Sequence, residues 1–281
     1  MQKVTSPEEF QSLCRSWRAK GQTVALVPTM GYLHAGHLSL FSWARENAQK
    51  VAVSVFVNPI QFGPNEDLAR YPRNPEGDQA KALAAGVDAL FMPDAAGLYP
   101  HGFATTVRVA GLTQGLCGAS RPGHFDGVAT VVAKLLMLAM PTVAVFGQKD
   151  WQQLAIIRRM AKDLNFPTII EGRPIFREPD GLALSSRNVY LSPAERGLAP
   201  AIHQGLLQVR EAVQAGETNA SRILARLAEF YSAAMPDAPA DYLELVHPET
   251  LKPLDTITGP ALLAVAVKFP KARLIDNMLL Q

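Results

Sequence analysis

The sequence predicts an α/β protein: a Rossmann-like parallel sheet in an N-terminal domain, followed by a smaller α+β C-terminal domain. Three observations lead there. Short apolar runs at 24–27, 51–57, 89–92 and 143–146 lack polar alternation, as strands covered on both faces do. Helical patterns lie between them: Leu38, Phe41, Ala44 and Ala48 share one face, and so do Leu154, Ile157, Ala161 and Leu164. Past about Arg177 this alternation gives way to helices and then two strand-like runs.

In chain order, Ser6-Pro7-Glu8-Glu9 is a capping box with proline at the first helical position, opening a helix that ends near Gly21. The most apolar stretch, 128–146, is interrupted by Lys134 and Pro141. It reads as a buried helix and then a strand, not a membrane span. Ser192-Pro193-Ala194-Glu195 is a second capping box, expected to start a long helix toward Gln214. Another helix follows from about Ser221 to Ala234, then strand-like runs at 241–246 and 262–269. The expected domains are 1–176 and 177–281. No internal repeat or low-complexity segment is visible.

The 281 residues are 48% apolar, enough for a substantial core. Lys+Arg number 27 against Asp+Glu 25, so no general attraction to nucleic acid or membrane is encoded. A local phosphate site remains compatible with that balance. Cys14 and Cys117 suggest neither a disulfide framework nor a zinc site, and residues 1–10 lack the apolar core of a secretory signal. A reducing, cytoplasmic location is expected.

Chemistry concentrates first where the 24–27 run passes through Pro28-Thr29-Met30-Gly31-Tyr32-Leu33-His34-Ala35-Gly36-His37 into a helix. Ligands of open α/β sheets sit beyond the strands' carboxyl ends, where helix N-termini offer N–H groups to phosphate. Gly31 and Gly36 let backbone approach a nucleotide. His34 and His37, three apart, point the same way on a first helical turn and can donate to charge developing at phosphorus. The competing reading has one histidine capping the helix and the other solvated. A zinc-protease pair would be spaced i, i+4 with an intervening Glu, which is absent.

A second concentration follows Phe146: Gly147-Gln148-Lys149-Asp150, then Trp151-Gln152-Gln153. Asp150 is a helix N-cap candidate. Lys149 would project from a strand-to-helix turn, or be an ordinary solvated lysine. In Asp180-Gly181-Leu182-Ala183-Leu184-Ser185-Ser186-Arg187-Asn188, two hydroxyls and a guanidinium can bind phosphate oxygens; taken alone, a polar loop explains the run equally well.

HxGH between a buried strand and a helix resembles the signature of the nucleotidyltransferase superfamily, which includes class I aminoacyl-tRNA synthetases. The Ser-Ser-Arg run is similar to its mobile phosphate-binding loop. VPTMGYLHAGHL at 27–38, VNPIQF at 57–62, DLARYPR at 67–73, RPGHFDGV at 121–128, GQKDWQQL at 147–154, DGLALSSRN at 180–188 and RLIDN at 273–277 together resemble the pantothenate synthetase family. That resemblance implies condensation of pantoate with β-alanine using ATP and Mg²⁺, with a pantoyl adenylate intermediate, no organic prosthetic group and a homodimeric assembly. It implies an ATP site lined by Met30, Gly31, Tyr32, Leu33, His34, Ala35, Gly36 and His37, framed by Gly147, Gln148, Asp150, Phe176 and Leu184. His34, Lys149, Ser185, Ser186 and Arg187 would contact phosphates, His37 would be the proton donor, and Gln61, Gln153 and Asn58 would hold pantoate. Each glutamine has surface solvation as its alternative. Asp78 is the candidate outer-sphere Mg²⁺ partner, with an exposed helix acid the favoured alternative. Two positions depart from the family pattern: Gln148 stands where Glu is usual, and Gly77 where an acidic residue commonly precedes the Asp.

Overall fold

The computed structural model describes residues 1–64 and 66–280. They form two compact units. The first comprises Met1–Ala110, Arg121–Gln148 and Ile156–Pro174; the second comprises Gly111–Ser120, Lys149–Ala155 and the chain from Ile175 onward. Gln281, the last residue of the expected C-terminal domain, lies outside the described residues.

In chain order the elements are β1 (Gln2–Val4), α1 (Pro7–Ala19), β2 (Val24–Thr29), α2 (Ala35–Asn47), β3 (Lys50–Val55), α3 (Pro75–Ala84), β4 (Ala89–Phe91), α4 (Ala95–Leu98), α5 (Cys117–Ser120), α6 (His124–Ala139), β5 (Val143–Gly147), α7 (Trp151–Asp163), β6 (Ile169–Arg173), α8 (Pro193–Leu198), α9 (Ala201–Gln214), α10 (Ala220–Ala234), β7 (Ala240–Val246), β8 (Ala261–Lys268) and β9 (Arg273–Leu280). None of these helices is long and apolar enough to cross a membrane.

The first unit holds a six-stranded sheet in the order β1-β4-β3-β2-β5-β6, parallel at every pairing. The chain winds outward from β2 through β3 to β4, then returns to lay β5 on the other side of β2. The direction of winding therefore reverses between β2 and β5, the place where sheets of this kind bind ligands. Ala25, Val27, Val51, Val53, Val143 and Val145 pack on one face with Leu40, Phe41 and Ala44 of α2. Val24, Leu26, Ala52 and Ala144 alternate onto the other face and are equally buried. Burial on both faces is why these three strands read as unbroken apolar runs.

β1 and β6 escape that reading because they are edges. β1 has three residues, and β6 alternates, with Ile169 63% exposed. α1 starts as expected, the Ser6 hydroxyl accepting the Glu9 N–H at 3.3 Å. On α7, Leu154, Ile157 and Ala161 are buried, whereas Leu164 falls past the helix end and is 53% exposed.

In the second unit, α9 and α10 pack together and against an antiparallel sheet in the order β7-β8-β9. Ile202, Leu206, Ile223, Leu227, Leu263, Val265 and Val267 form its core. The Tyr231 hydroxyl, buried among them, donates to the Ile202 carbonyl at 2.6 Å. The single long helix expected from Ser192 is instead α8 and α9, broken at Pro200. Proline there has no N–H to give and its ring crowds the preceding turn. β9 falls outside the strands expected from the sequence. It carries Asp276, 3% exposed, which accepts the Arg177 guanidinium through both oxygens at 2.6 and 2.9 Å. Asp276→Ala strands that guanidinium, and a loss of about 3 kcal/mol is expected from the urea midpoint.

Candidate active site

In the first unit, β2 ends at Thr29, whose hydroxyl accepts the Gly31 N–H at 3.2 Å and donates to the Ser54 carbonyl at 2.8 Å. The chain then turns through two left-handed residues, Gly31 (φ +83°) and Tyr32 (φ +51°). Gly31 is needed twice over, since a β-carbon there would lie 2.9 Å from both Asp78 Oδ2 and Val55 Cγ1. Asp78 holds the turn: its two oxygens accept the Tyr32 and Leu33 N–H groups at 2.9 and 2.7 Å. Lys81, one helical turn along α3, donates to the Leu33 carbonyl at 2.6 Å. Asp78 is 1% exposed, so the favoured reading of it as an exposed helix acid is corrected. A helical acid looks solvated until its tertiary partners, here 45 and 46 residues away, are seen.

This clamp delivers the chain into α2 with His34 at the N-cap and His37 in the first turn. Their rings stand side by side, centroids 4.0 Å apart. His37 Nδ1 accepts the His34 N–H at 3.3 Å. Nδ1 is therefore the bare nitrogen, and the neutral ring carries its proton on Nε2, which can donate.

β3 leads to Asn58 and a 3₁₀ turn, Pro59–Gln61. Neither amide is a solvated surface group: Asn58 is 1% and Gln61 7% exposed. Asn58 Oδ1 accepts the Tyr99 hydroxyl at 2.7 Å, and its Nδ2 donates to Gln61 Oε1 at 3.0 Å and to the Gly127 carbonyl at 3.1 Å. Burial pushes the Tyr99 pKa upward, keeping it a donor. Asn58 is thus committed to protein partners. It fixes the Gln61 amide with oxygen inward and Nε2 toward Met30 Sδ at 3.2 Å. A thioether is a weak acceptor, so this N–H can be given up to a ligand oxygen at little cost. Met30 precedes the turn described above, so Gln61 and the HxGH approach meet side by side.

At the end of β5, Gln148 Nε2 donates to the Gly172 carbonyl on β6 at 3.2 Å. A carboxylate could not make that bond, which accounts physically for the amide. A β-carbon at Gly77 would press on the Asn74 side chain that caps α3, 2.7 Å from its Cγ.

The second unit organises the other candidates. Lys149 Nζ lies 3.5 Å from the Asp150 carboxylate, and the Lys149 carbonyl accepts Asn277 Nδ2 at 2.9 Å. Gln152 is buried and donates to the Leu112 and Gly115 carbonyls at 2.9 Å each. Gln153 stays partly exposed. Before the Ser-Ser-Arg run, Arg177 bridges to Ala183 and donates to the Gly181 carbonyl at 3.0 Å while paired with Asp276. Asn188 donates to the Ala183 carbonyl and Glu178, each at 3.2 Å. Ser185 Oγ accepts the Arg187 N–H at 3.2 Å, Ser186 is buried, and the Leu184 N–H bonds the carbonyl of Phe176, itself 43% exposed. Adjacent residues of β9, Asp276 and Asn277, thus hold the loop base and the Lys149 backbone in one unit. Sequence reasoning misses both as parts of the site, although the 273–277 run is a signal pointing to them.

Among the described residues no three His, Cys, Asp or Glu side chains are grouped as a metal site. Both Asp78 oxygens are occupied by backbone N–H groups.

The sequence model of the family described as pantoate–β-alanine ligase matches residues 2–279. The chain belongs to the pantoate–β-alanine ligase family. A pantothenate synthetase from Oleidesulfovibrio alaskensis is 57% identical over 280 residues, covering the whole of both chains. One from Nitratidesulfovibrio vulgaris strain Miyazaki F is 58% identical, covering 100% of this chain and 99% of its own. The fold matches the crystal structure of pantothenate synthetase from Thermus thermophilus, with a TM-score of 0.93, 50% identity and 99% of each chain covered. It also matches the pantoate–β-alanine ligase of Francisella tularensis, crystallised with βγ ATP and β-alanine: TM-score 0.80, 32% identity, 99% and 97% covered. Family membership accounts for a six-stranded parallel sheet with HxGH at its switch point.

Proposed function

We propose that this member of the family joins pantoate to β-alanine at the expense of ATP, through a pantoyl adenylate. A pantoate carboxylate oxygen attacks the α-phosphorus and pyrophosphate leaves. The β-alanine amine then attacks the acyl carbon, and AMP leaves in place of an oxide too basic to depart. The observation that carries this reading is the meeting of Gln61 with Met30: an oriented amide donor beside the HxGH approach suits a hydroxy acid held against a nucleotide. The likeness to a ligase crystallised with ATP and β-alanine supports the same substrates.

In this reading residues 30–37, with Gly147, Gln148, Asp150, Phe176 and Leu184, line the nucleotide. His37 Nε2–H and His34 donate to the phosphate as charge develops; Lys149, Ser185, Ser186 and Arg187 neutralise the triphosphate. Gln61 and Gln153 hold pantoate, with Asn58 orienting Gln61. We assign Mg²⁺ to the substrate, carried on the ATP phosphates, the usual habit of this ion. The functional division retained is 1–176 for ATP and pantoate and 177–281 for the Ser-Ser-Arg loop. A cytoplasmic location fits the free thiols Cys14 and Cys117, and the homodimer is carried by the family resemblance. Light scattering tests the dimer.

The purified protein is expected to make AMP from ATP only with pantoate present, and pantothenate once β-alanine is added. ADP as product, or AMP formation indifferent to pantoate, would overturn the assignment.

A further inference from the structure

The 121–128 stretch resembles the family, yet apart from the Gly127 carbonyl that accepts Asn58 Nδ2 nothing above gives it a task. Three of its residues converge on the turn that carries Gln61. Arg121 is a fork: Nε and Nη2 donate to the two Glu66 oxygens at 2.7 and 2.6 Å, and Nη1 lies 2.9 Å from His124 Nε2. Burial works against charge on Glu66, yet the hydrogen bonds and charge of Arg121 hold its carboxyl below the usual range, so the fork stays paired. An arginine has only hydrogens to offer, so His124 Nε2 must be the bare nitrogen. The ring proton then sits on Nδ1, which lies 2.8 Å from the Gln61 carbonyl oxygen and donates to it. Gly127 completes the seat. A β-carbon there would be 2.7 Å from both Gln61 Cα and Gln61 N, and the Gly127 carbonyl accepts Asn58 Nδ2.

We propose that the Glu66–Arg121–His124 relay, seated by Gly127, sets the position of Gln61, and that His124 is a positioning residue for the acid substrate. Arg121 selects the tautomer of His124, and that tautomer holds the Gln61 backbone while Asn58 orients its amide. One relay thus fixes the main chain and another the side chain of the same residue. The proposal rests on the reading of Gln61 as a pantoate ligand.

The test uses the full-length protein, with KM for pantoate, KM for ATP and kcat measured separately. His124→Phe keeps the ring without its nitrogens; it is expected to raise KM for pantoate about tenfold, with KM for ATP unchanged and kcat within about threefold. His124→Asn places an amide donor where Nδ1 stood and is expected to restore most of that loss. In a Gln61→Ala background, His124→Phe should add nothing, since the two act through one contact. Equal rises in both KM values, failure of Asn to do better than Phe, or full additivity would each overturn the proposal. If Gln61→Ala raises KM for pantoate but His124→Phe does not, the relay falls alone. If Gln61→Ala leaves that KM unchanged, the acid-site reading falls and the relay with it.

Discussion

His37→Ala is expected to lower pantoate-dependent ATP–pyrophosphate exchange by about a hundredfold or more, the scale of losing one donor aimed at developing charge. The geometry specifies what is lost. With Nδ1 turned to the His34 N–H, the Nε2 proton is the part of the ring that can meet phosphate oxygen. The loss should appear in kcat far more than in KM for ATP, because the bond strengthens as charge grows. His37→Asn separates the two nitrogens: its amide can replace the bond to His34 but cannot reach where Nε2 stood. It should fold like the parent and remain nearly as inactive as the alanine variant. Exchange within about tenfold of the parent for His37→Asn would show that Nε2 is not the acting donor.

The second large effect is expected at Asp78. Asp78→Ala leaves two N–H groups, the partly buried one of Tyr32 and the buried one of Leu33, without their acceptor. Each such group costs about 1–3 kcal/mol, so a stability loss of about 3 kcal/mol should show in chemical denaturation. Asp78→Asn keeps the volume but turns an NH₂ group toward one of those N–H groups, and should lose most of the same stability. Because the turn they anchor leads into HxGH, KM for ATP should rise in both variants. Raising Mg²⁺ is expected to leave this defect uncorrected. Recovery of KM at high Mg²⁺ would mean that Asp78 serves the metal after all.

The central strands are legible because burial on both faces writes itself into sequence as uninterrupted apolar runs. HxGH is legible because its spacing and place after such a run coincide. Asp78 is not: nothing local distinguishes a helical acid facing water from one gripping a turn across the fold. Gln152 and Gln153 are neighbours of one type, and only coordinates show that the first is spent on the Leu112 and Gly115 carbonyls. β9 escapes because its Arg, Asp and Asn residues break the apolar pattern. Of these, Asp276 and Asn277 are the ones that hold the Arg177 and Lys149 segments.

The order in which the ribosome delivers the chain gives β9 a further significance. The carbonyl of Lys149 waits 128 residues for Asn277, and Arg177 waits 99 for Asp276. While β9 is still unsynthesised or inside the exit tunnel, the lysine turn and the base of the Ser-Ser-Arg loop lack these ties. Contacts so far apart in sequence are slow to close. A nascent or prematurely terminated chain can therefore present the glycine turn and both imidazoles while the Lys149 turn and the base of the Ser-Ser-Arg loop are still without these ties.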